Sequence, residues 1–377
     1  MKIGILTLPL HHNYGGIIQN WALQQVLRRL GHRPEMIFLT YGSRPNRLLL
    51  VKRCLSLVKC LIKKYLLRKP YIYLYSIYDP KYNPTVPHYA DYRFVRRICK
   101  TKRLTADIDL ARLARRRKYE AFVVGSDQVW REEYSPRIQS FFLDFLPNGD
   151  ARKRIAYAAS FGKAHDYISA DKMPECRRLL GRFDAVSVRE DDGVDIVRND
   201  FGRNQVEKVL DPTLLLDAAD YQNLIKLADR HTEPYIASYV LDPSDDKSAL
   251  LEQISAERKL SVSAIDIEVR PEGMATMSQW LANFADADFV VTDSFHGCVF
   301  SIIFGKPFIA IGNAERGLGR FQSLLGELGL NDRLITGLSD YQTRNDKLLA
   351  TLNYEPVRAR IDKLRQSSIQ FLTDSLK

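Results

Sequence analysis

The chain has 377 residues, 45% hydrophobic and 27% charged; these are the proportions of a soluble globular protein, and the length favours two domains over one. A formal net charge of +11 points to an anionic partner: nucleic acid, an anionic membrane face or a phosphorylated substrate. Five scattered cysteines without a CxxC pair argue against a disulfide framework or structural zinc site and fit a reducing cytoplasm.

The opening MKIGILTLPLHH has one early Lys and no small-residue cleavage pattern, so it reads as a first strand and not as a signal peptide. No run of 18 apolar residues follows anywhere, so no spanning helix is expected. The next segment, IIQNWALQQVLRRLGH, carries apolar residues at helical spacing with Gly31 as its stop, and EMIFLTY reads as a second strand. A strand–loop–helix–strand unit is how an open parallel sheet begins. Ligands of such sheets bind at the carboxyl ends of the strands, where Asn13, Tyr14, Gly15 and Gly16 fall.

Residues 44–69 hold nine Lys/Arg and no acid. On a helical wheel the basic residues from Lys52 to Lys64 fill an arc of roughly 140°, with Leu48, Val51, Leu55, Val58, Ile62 and Leu66 opposite. Such a helix lies in an anionic membrane surface or packs its apolar face on its own domain; the pattern alone leaves both open. The Tyr/Pro-rich stretch from Tyr71 to Tyr92 reads as an irregular insertion.

Alternation then resumes. YEAFVVGSDQVW, RIAYAASFG and DAVSVREDDG read as strands that end in Gly-Ser-Asp, Ser-Phe-Gly and Arg189. KVLDPTLLL reads as a fourth, interrupted by Asp-Pro. A second α/β unit starts near Tyr221: YIASYVL and SVSAIDI as strands, MSQWLANFADA as a helix, DFVVTD as a strand, FHGCVFSIIFG as a helix and PFIAI as a strand. The C-terminal VRARIDKLRQSSIQFLTDSLK is an amphipathic helix expected to pack toward the first domain. The domains are expected at 1–217 (with 44–92 inserted), 218–350 and a terminal helix over 351–377.

Three segments are candidates for chemistry. The paired glycines of HHNYGGIIQN let a backbone approach a ligand, and free N–H groups at a helix start attract anions; a simple chain turn is the competing reading. Asp127 follows an apolar strand and is either a base that activates a hydroxyl or a helix cap. His296 sits in the first turn of a helix after the cap candidates Asp293 and Ser294. The positive end of a helix disfavours imidazolium, which suits a neutral imidazole near a bound anion. Arg316 and Arg320 follow the next strand in a Gly-rich loop, and arginine binds carboxylate and phosphate through paired N–H donors.

Together, KIGILTLPLHHNYGGIIQNWAL, FVVGSDQVW, AVSVRE, VLDPTLLL, VVTDSFHGCVFSIIFGKPFIAI and RGLGRF resemble the polysaccharide pyruvyl transferase family. The resemblance implies two Rossmann-like domains with parallel sheets, arranged like the GT-B glycosyltransferases, with the site in the interdomain cleft. It also implies transfer of a pyruvyl group from phosphoenolpyruvate to sugar hydroxyls as a cyclic ketal, with no cofactor and no metal. His296 is then the expected general acid and Asp127 the group that activates the acceptor. Arg189, Ser294 and Phe295 fall to the donor, and Asn13, Tyr14, Gly15 and Gly16 to the acceptor. Many members read Arg-Leu-His-Gly where this chain has Ser294-Phe295-His296-Gly297, so Arg316 and Arg320 are expected to replace the missing arginine. The expected partners are phosphoenolpyruvate, a lipid-diphosphate-linked sugar and an anionic membrane surface met through 46–69, at the inner face of the cytoplasmic membrane. A GT-B glycosyltransferase using a nucleotide-activated sugar is the alternative, and a non-catalytic membrane assembly factor a third reading. Basic charge concentrated in one helix, with no known binding module, excludes a nucleic-acid binder.

Overall fold

The computed structural model describes residues 1–10, 13–40, 47–69, 92–99, 104–105, 109–265, 275–312 and 317–377. In the N-terminal half β1 (Lys2–Leu6), α1 (Tyr14–Arg29) and β2 (Arg33–Met36) open the chain. A short strand β3 (Leu39–Thr40) precedes the basic helix α2 (Arg47–Leu61), whose last turn widens into a π-helix to Leu66. Then come α3 (Tyr92–Ile98), β4 (Leu104–Thr105), α4 (Leu110–Arg117), β5 (Ala121–Val124), β6 (Lys153–Ala159), α5 (Met173–Leu180), β7 (Ala185–Val188), α6 (Asp191–Asn199) and β8 (Glu207–Lys208). Among the described residues these form a parallel sheet of order β2-β1-β5-β6-β7-β8, with β3 and β4 pairing separately.

The C-terminal half runs α7 (Ala218–Gln222), β9 (Tyr235–Tyr239), α8 (Asp245–Arg258), β10 (Ser261–Ala264), α9 (Met277–Ala285), β11 (Phe289–Thr292), α10 (Phe295–Ile303), β12 (Phe308–Ile311), α11 (Leu318–Leu328), β13 (Leu334–Ile335), α12 (Leu338–Leu349) and α13 (Glu355–Ser375). Its sheet, order β10-β9-β11-β12-β13, is also parallel throughout. Central strands such as FVVT and AFVV are buried at every position, which is why they read as continuous apolar runs: helices cover both faces of a parallel sheet. Two Rossmann-like halves with parallel sheets are thus present.

The layer between the sheets is one continuous core. It joins Ile3, Tyr14 and Leu23 of the first half to Trp280, Phe300 and Phe371 of the second. Tyr14 stacks on Trp280 with centroids 5.5 Å apart, and its hydroxyl donates to the Ala275 carbonyl at 2.7 Å. Helix α13 reaches back to the first half. The Leu210 amide donates to Ser368 Oγ at 3.0 Å, and Arg365 Nε donates to the Leu214 carbonyl at 2.9 Å.

Two elements differ from the sequence expectation. EMIFLTY divides into β2 and β3, because after Met36 the Ile37 amide still bonds Ile5 but the chain then pairs with β4 instead. Of KVLDPTLLL only Lys208 falls in a strand, the end of β8; Pro212 has no N–H to give a ladder, and Pro212–Leu215 forms a 3₁₀ turn. Residues 71–91 of the Tyr/Pro insertion and Arg316 lie outside the described residues, and Tyr92 opens α3.

Trp280 is fully buried and meets Tyr14, Tyr239, Phe284 and Phe300. Trp280→Ala is expected to cost about 3–5 kcal/mol, read as a lowered urea midpoint, with both halves unfolding in the same transition.

Candidate active site

The carboxyl ends of the strands in both sheets meet at one buried cluster. After β5 the chain turns through Gly125, Ser126 and Asp127. Ser126 Oγ donates to the Ala158 carbonyl at 2.9 Å and lies 3.3 Å from Asp211 Oδ2. Asp127 has φ +81, a left-handed conformation that Asp adopts more readily than most residues. No helix follows it directly, so the capping alternative is not realised. Its Oδ1 accepts from the Gln128 amide and lies 3.4 Å from Arg189 Nη2.

Arg189 follows β7 and is the centre of the cluster. Nη1 donates to Asp211 Oδ2 at 2.7 Å, Nη2 faces Asp127, and Nε lies 3.8 Å from Glu190 Oε2. Its planar face covers the Phe295 ring, 4.6 Å from the centroid. Both terminal nitrogens of Arg189 therefore already serve carboxylates, which differs from an arginine held open for a donor anion. Arg320, in the first turn of α11, stands 5.6 Å from the same Phe295 ring. Burial, and the neighbouring charge of Arg189, push the Arg320 guanidinium down to about 10.

His296 occupies the first turn of α10, where Ser294 Oγ caps the Gly297 amide. Ser294 is thus used by its own helix. Asp293 takes no part in capping; its carboxylate accepts from the Leu241 and Asp242 amides and from Lys247 Nζ, fixing the loop after β9. The His296 ring lies against Gly15 of α1, so closely that a Cβ there would sit 2.1 Å from Nδ1. Gly15 is required for that approach. On the other side, His296 Nε2 is 3.8 Å from Asp211 Oδ2 and makes no hydrogen bond among the described residues.

Asp211 is therefore the counter-charge shared by Arg189 and His296, and Thr213 completes its shell through N–H and O–H at 3.0 and 2.7 Å. Burial alone would raise its carboxyl; the charges of His296 and Arg189 and the Thr213 bond hold it far below the usual carboxylate range. Glu190 moves the other way: burial pushes its carboxyl up despite the pull of Arg189. Its Oε1 accepts from the Phe161 amide at 3.2 Å, and Oε2 has no hydrogen-bond partner among the described residues. Glu190 and Arg320 extend the cluster into a cavity of about 180 Å³ lined also by Gly162, Asp192 and Gly317. A larger cavity, about 950 Å³, lies by Glu133, Tyr167 and Arg177, apart from the cluster.

The structure thus brings together Asp127, Arg189, Phe295, His296 and Arg320. The N-terminal four lie in different surroundings. Asn13 caps α1 by accepting from the Gly16 amide at 3.2 Å, Tyr14 is buried between the halves, and Gly15 lies under His296. Gly16 alone faces the Asp127 carboxylate. Sequence reasoning missed Asp211 and Glu190. The available signal was an acid within a few residues of a strand end, as for Asp127; Asp211 was read only as an Asp-Pro interruption. Among the described residues no group of three or more His, Cys, Asp or Glu side chains could hold a metal ion.

A sequence model of the family described as Polysaccharide pyruvyl transferase matches residues 13–315. No curated protein matches the sequence. Among solved structures, a glycosyltransferase from Rickettsia africae ESF-5 is similar with TM-score 0.48 and 9% identity, over 98% of this chain and 93% of that one. A UDP-GlcNAc 2-epimerase from Neisseria meningitidis bound to UDP-GlcNAc is similar with TM-score 0.47 and 8% identity, over 97% and 100%.

The two acids predict opposite responses. Asp211→Asn leaves buried Arg189 short of a partner, at a cost of about 3–5 kcal/mol near neutral pH. Because the folded-state carboxyl is depressed, the stability it contributes is present above the unfolded value, about 3.9, and lost as pH falls below it. The gap between wild type and D211N in urea melts is expected to narrow below about pH 4. Glu190→Gln keeps an acceptor for Phe161. Because the folded-state Glu190 carboxyl is raised, its ionisation opposes folding once the pH passes the unfolded value, about 4.3, and E190Q is expected to gain on wild type as pH rises above it.

Proposed function

Because the chain belongs to the polysaccharide pyruvyl transferase family, we propose that it moves a pyruvyl group from phosphoenolpyruvate onto two hydroxyls of a lipid-linked sugar, forming a cyclic ketal during surface or capsular polysaccharide biosynthesis. The observation that carries this reading is the buried Arg320 guanidinium beside the Phe295 ring and His296, at a cluster where Arg189 is already held by Asp127 and Asp211. Burial and then the charge of Arg189 disfavour the Arg320 cation, an anion beside it would favour that cation, and the donor brings both a carboxylate and a phosphate. The first turns of α1, α10 and α11 meet at the same cluster and add the positive ends of their helices.

Ketal formation needs a proton at C3 of the donor, which makes C2 electrophilic. His296 supplies it from Nε2, with Asp211 as the fixed counter-charge. One sugar hydroxyl adds to C2 and gives up its proton, restoring the one that C3 took. The second hydroxyl adds as the C2–O bond to phosphate breaks, and its proton leaves with the phosphate. Asp127, beside Gly16 and tied to Arg189, is the carboxylate placed to receive a hydroxyl proton. Arg320 takes the donor-binding role of the arginine that Ser294 replaces.

Phosphate release from phosphoenolpyruvate across a panel of free and lipid-linked glycosides is the test. His296→Asn is expected to lower kcat by about 10²–10⁴. Arg320→Ala is expected to act mainly on KM for phosphoenolpyruvate, raising it about tenfold or more through loss of a charge-assisted pair. Release of a nucleotide from an activated sugar, with no phosphate from phosphoenolpyruvate, overturns the reading.

A further inference from the structure

Eight of the ten exposed large hydrophobic side chains among the described residues lie between Leu48 and Leu67. Leu48, Val51, Leu55, Val58, Ile62 and Leu66 recur at three- and four-residue steps along α2 and its π turn, and they are 47–79% exposed. Among the described residues the apolar face of this helix is therefore not packed against its own domain. An apolar stripe of this length left in water marks an interaction surface.

We propose that α2 is an interfacial helix that docks the protein on an anionic lipid bilayer. Charge chooses the occupant. No residue from 36 to 78 is acidic, and nine are Lys or Arg. Lys52, Lys59 and Lys63 are exposed, so the stripe is bordered by cations that seek lipid phosphates while the leucines and valines enter the acyl boundary. A second copy of the chain would set the same cations against each other. No helix among the described residues is long and apolar enough to cross a membrane, so the contact is peripheral.

The position of α2 gives the contact a use. β1 and β2 are parallel, so β2 ends at the sheet edge where Asp127 and Arg189 emerge. Only residues 41–46 separate β3 from α2, a reach of at most about 25 Å. A bilayer held by α2 therefore lies near the strand ends that carry the site. That use rests on the lipid-linked acceptor proposed above; the docking itself does not.

Flotation of the full chain with phosphatidylcholine vesicles, with and without phosphatidylglycerol, tests the docking. Binding to the anionic vesicles alone is expected. Two variants, one L55Q/V58Q and the other K52Q/K59Q/K63Q/K64Q, are each expected to lower the bound fraction about tenfold or more. On the same preparations, phosphate release with a soluble glycoside is expected to stay at the wild-type rate. Absence of wild-type binding, or undiminished binding by either variant, overturns the proposal. So does a wild-type dimer in solution that L55Q/V58Q converts to monomer, since the stripe then meets a second copy. Flotation needs no turnover, so failure of the docking and failure of the pyruvyl transfer are separately visible.

Discussion

A buried guanidinium has to be paired, and Arg189 satisfies that requirement with carboxylates from three strand ends: Asp127 after β5, its own neighbour Glu190 after β7, and Asp211 beyond β8. Phe295, carried by the other half of the chain, covers its face. The cluster is thus a product of both domains at once. Removing water strengthens every charge in it, and the same dryness separates its acids. Asp211 stays ionised between Arg189 and His296, whereas burial pushes Glu190 toward its neutral form despite the pull of Arg189.

The accuracy of that arrangement comes from the core. An apolar layer shared by the two sheets, with Tyr14 on Trp280 at its centre and α13 tied to Leu210 and Leu214, sets the distance between the halves. At that distance only a glycine fits under His296. A large apolar interface also makes separation of the halves costly, unlike the loose contact of most neighbouring domains. Gly317 repeats the device across the cleft: a Cβ there would sit 2.1 Å from the Gly162 carbonyl oxygen.

Helix α2 follows the opposite rule. Its hydrophobic side chains have the spacing of a core helix, yet the fold leaves them in water. The cationic arc lies opposite them, and no acid stands between residues 36 and 78. Apolar area and positive charge are kept together on one element.

Much of the fold was legible because a parallel sheet covered on both faces writes each strand as an unbroken apolar run, and VVTD, FVVG and AVSV all show it. The order of those runs also located His296, Arg189 and Asp127 at strand ends. Partnership was not legible. Asp211 looked like a turn residue, and Tyr14 like a loop residue facing a ligand. Which of two readings applied to α2 was equally hidden, since a helical wheel describes one face and not what covers it. The sequence by itself determined the alternation of elements, the cationic helix and the chemical types at the strand ends, because these depend on local spacing alone. The tertiary structure decided which charges pair, which tyrosine is sealed and which leucines stay in water, because ion pairing and burial depend on residues far apart in the chain.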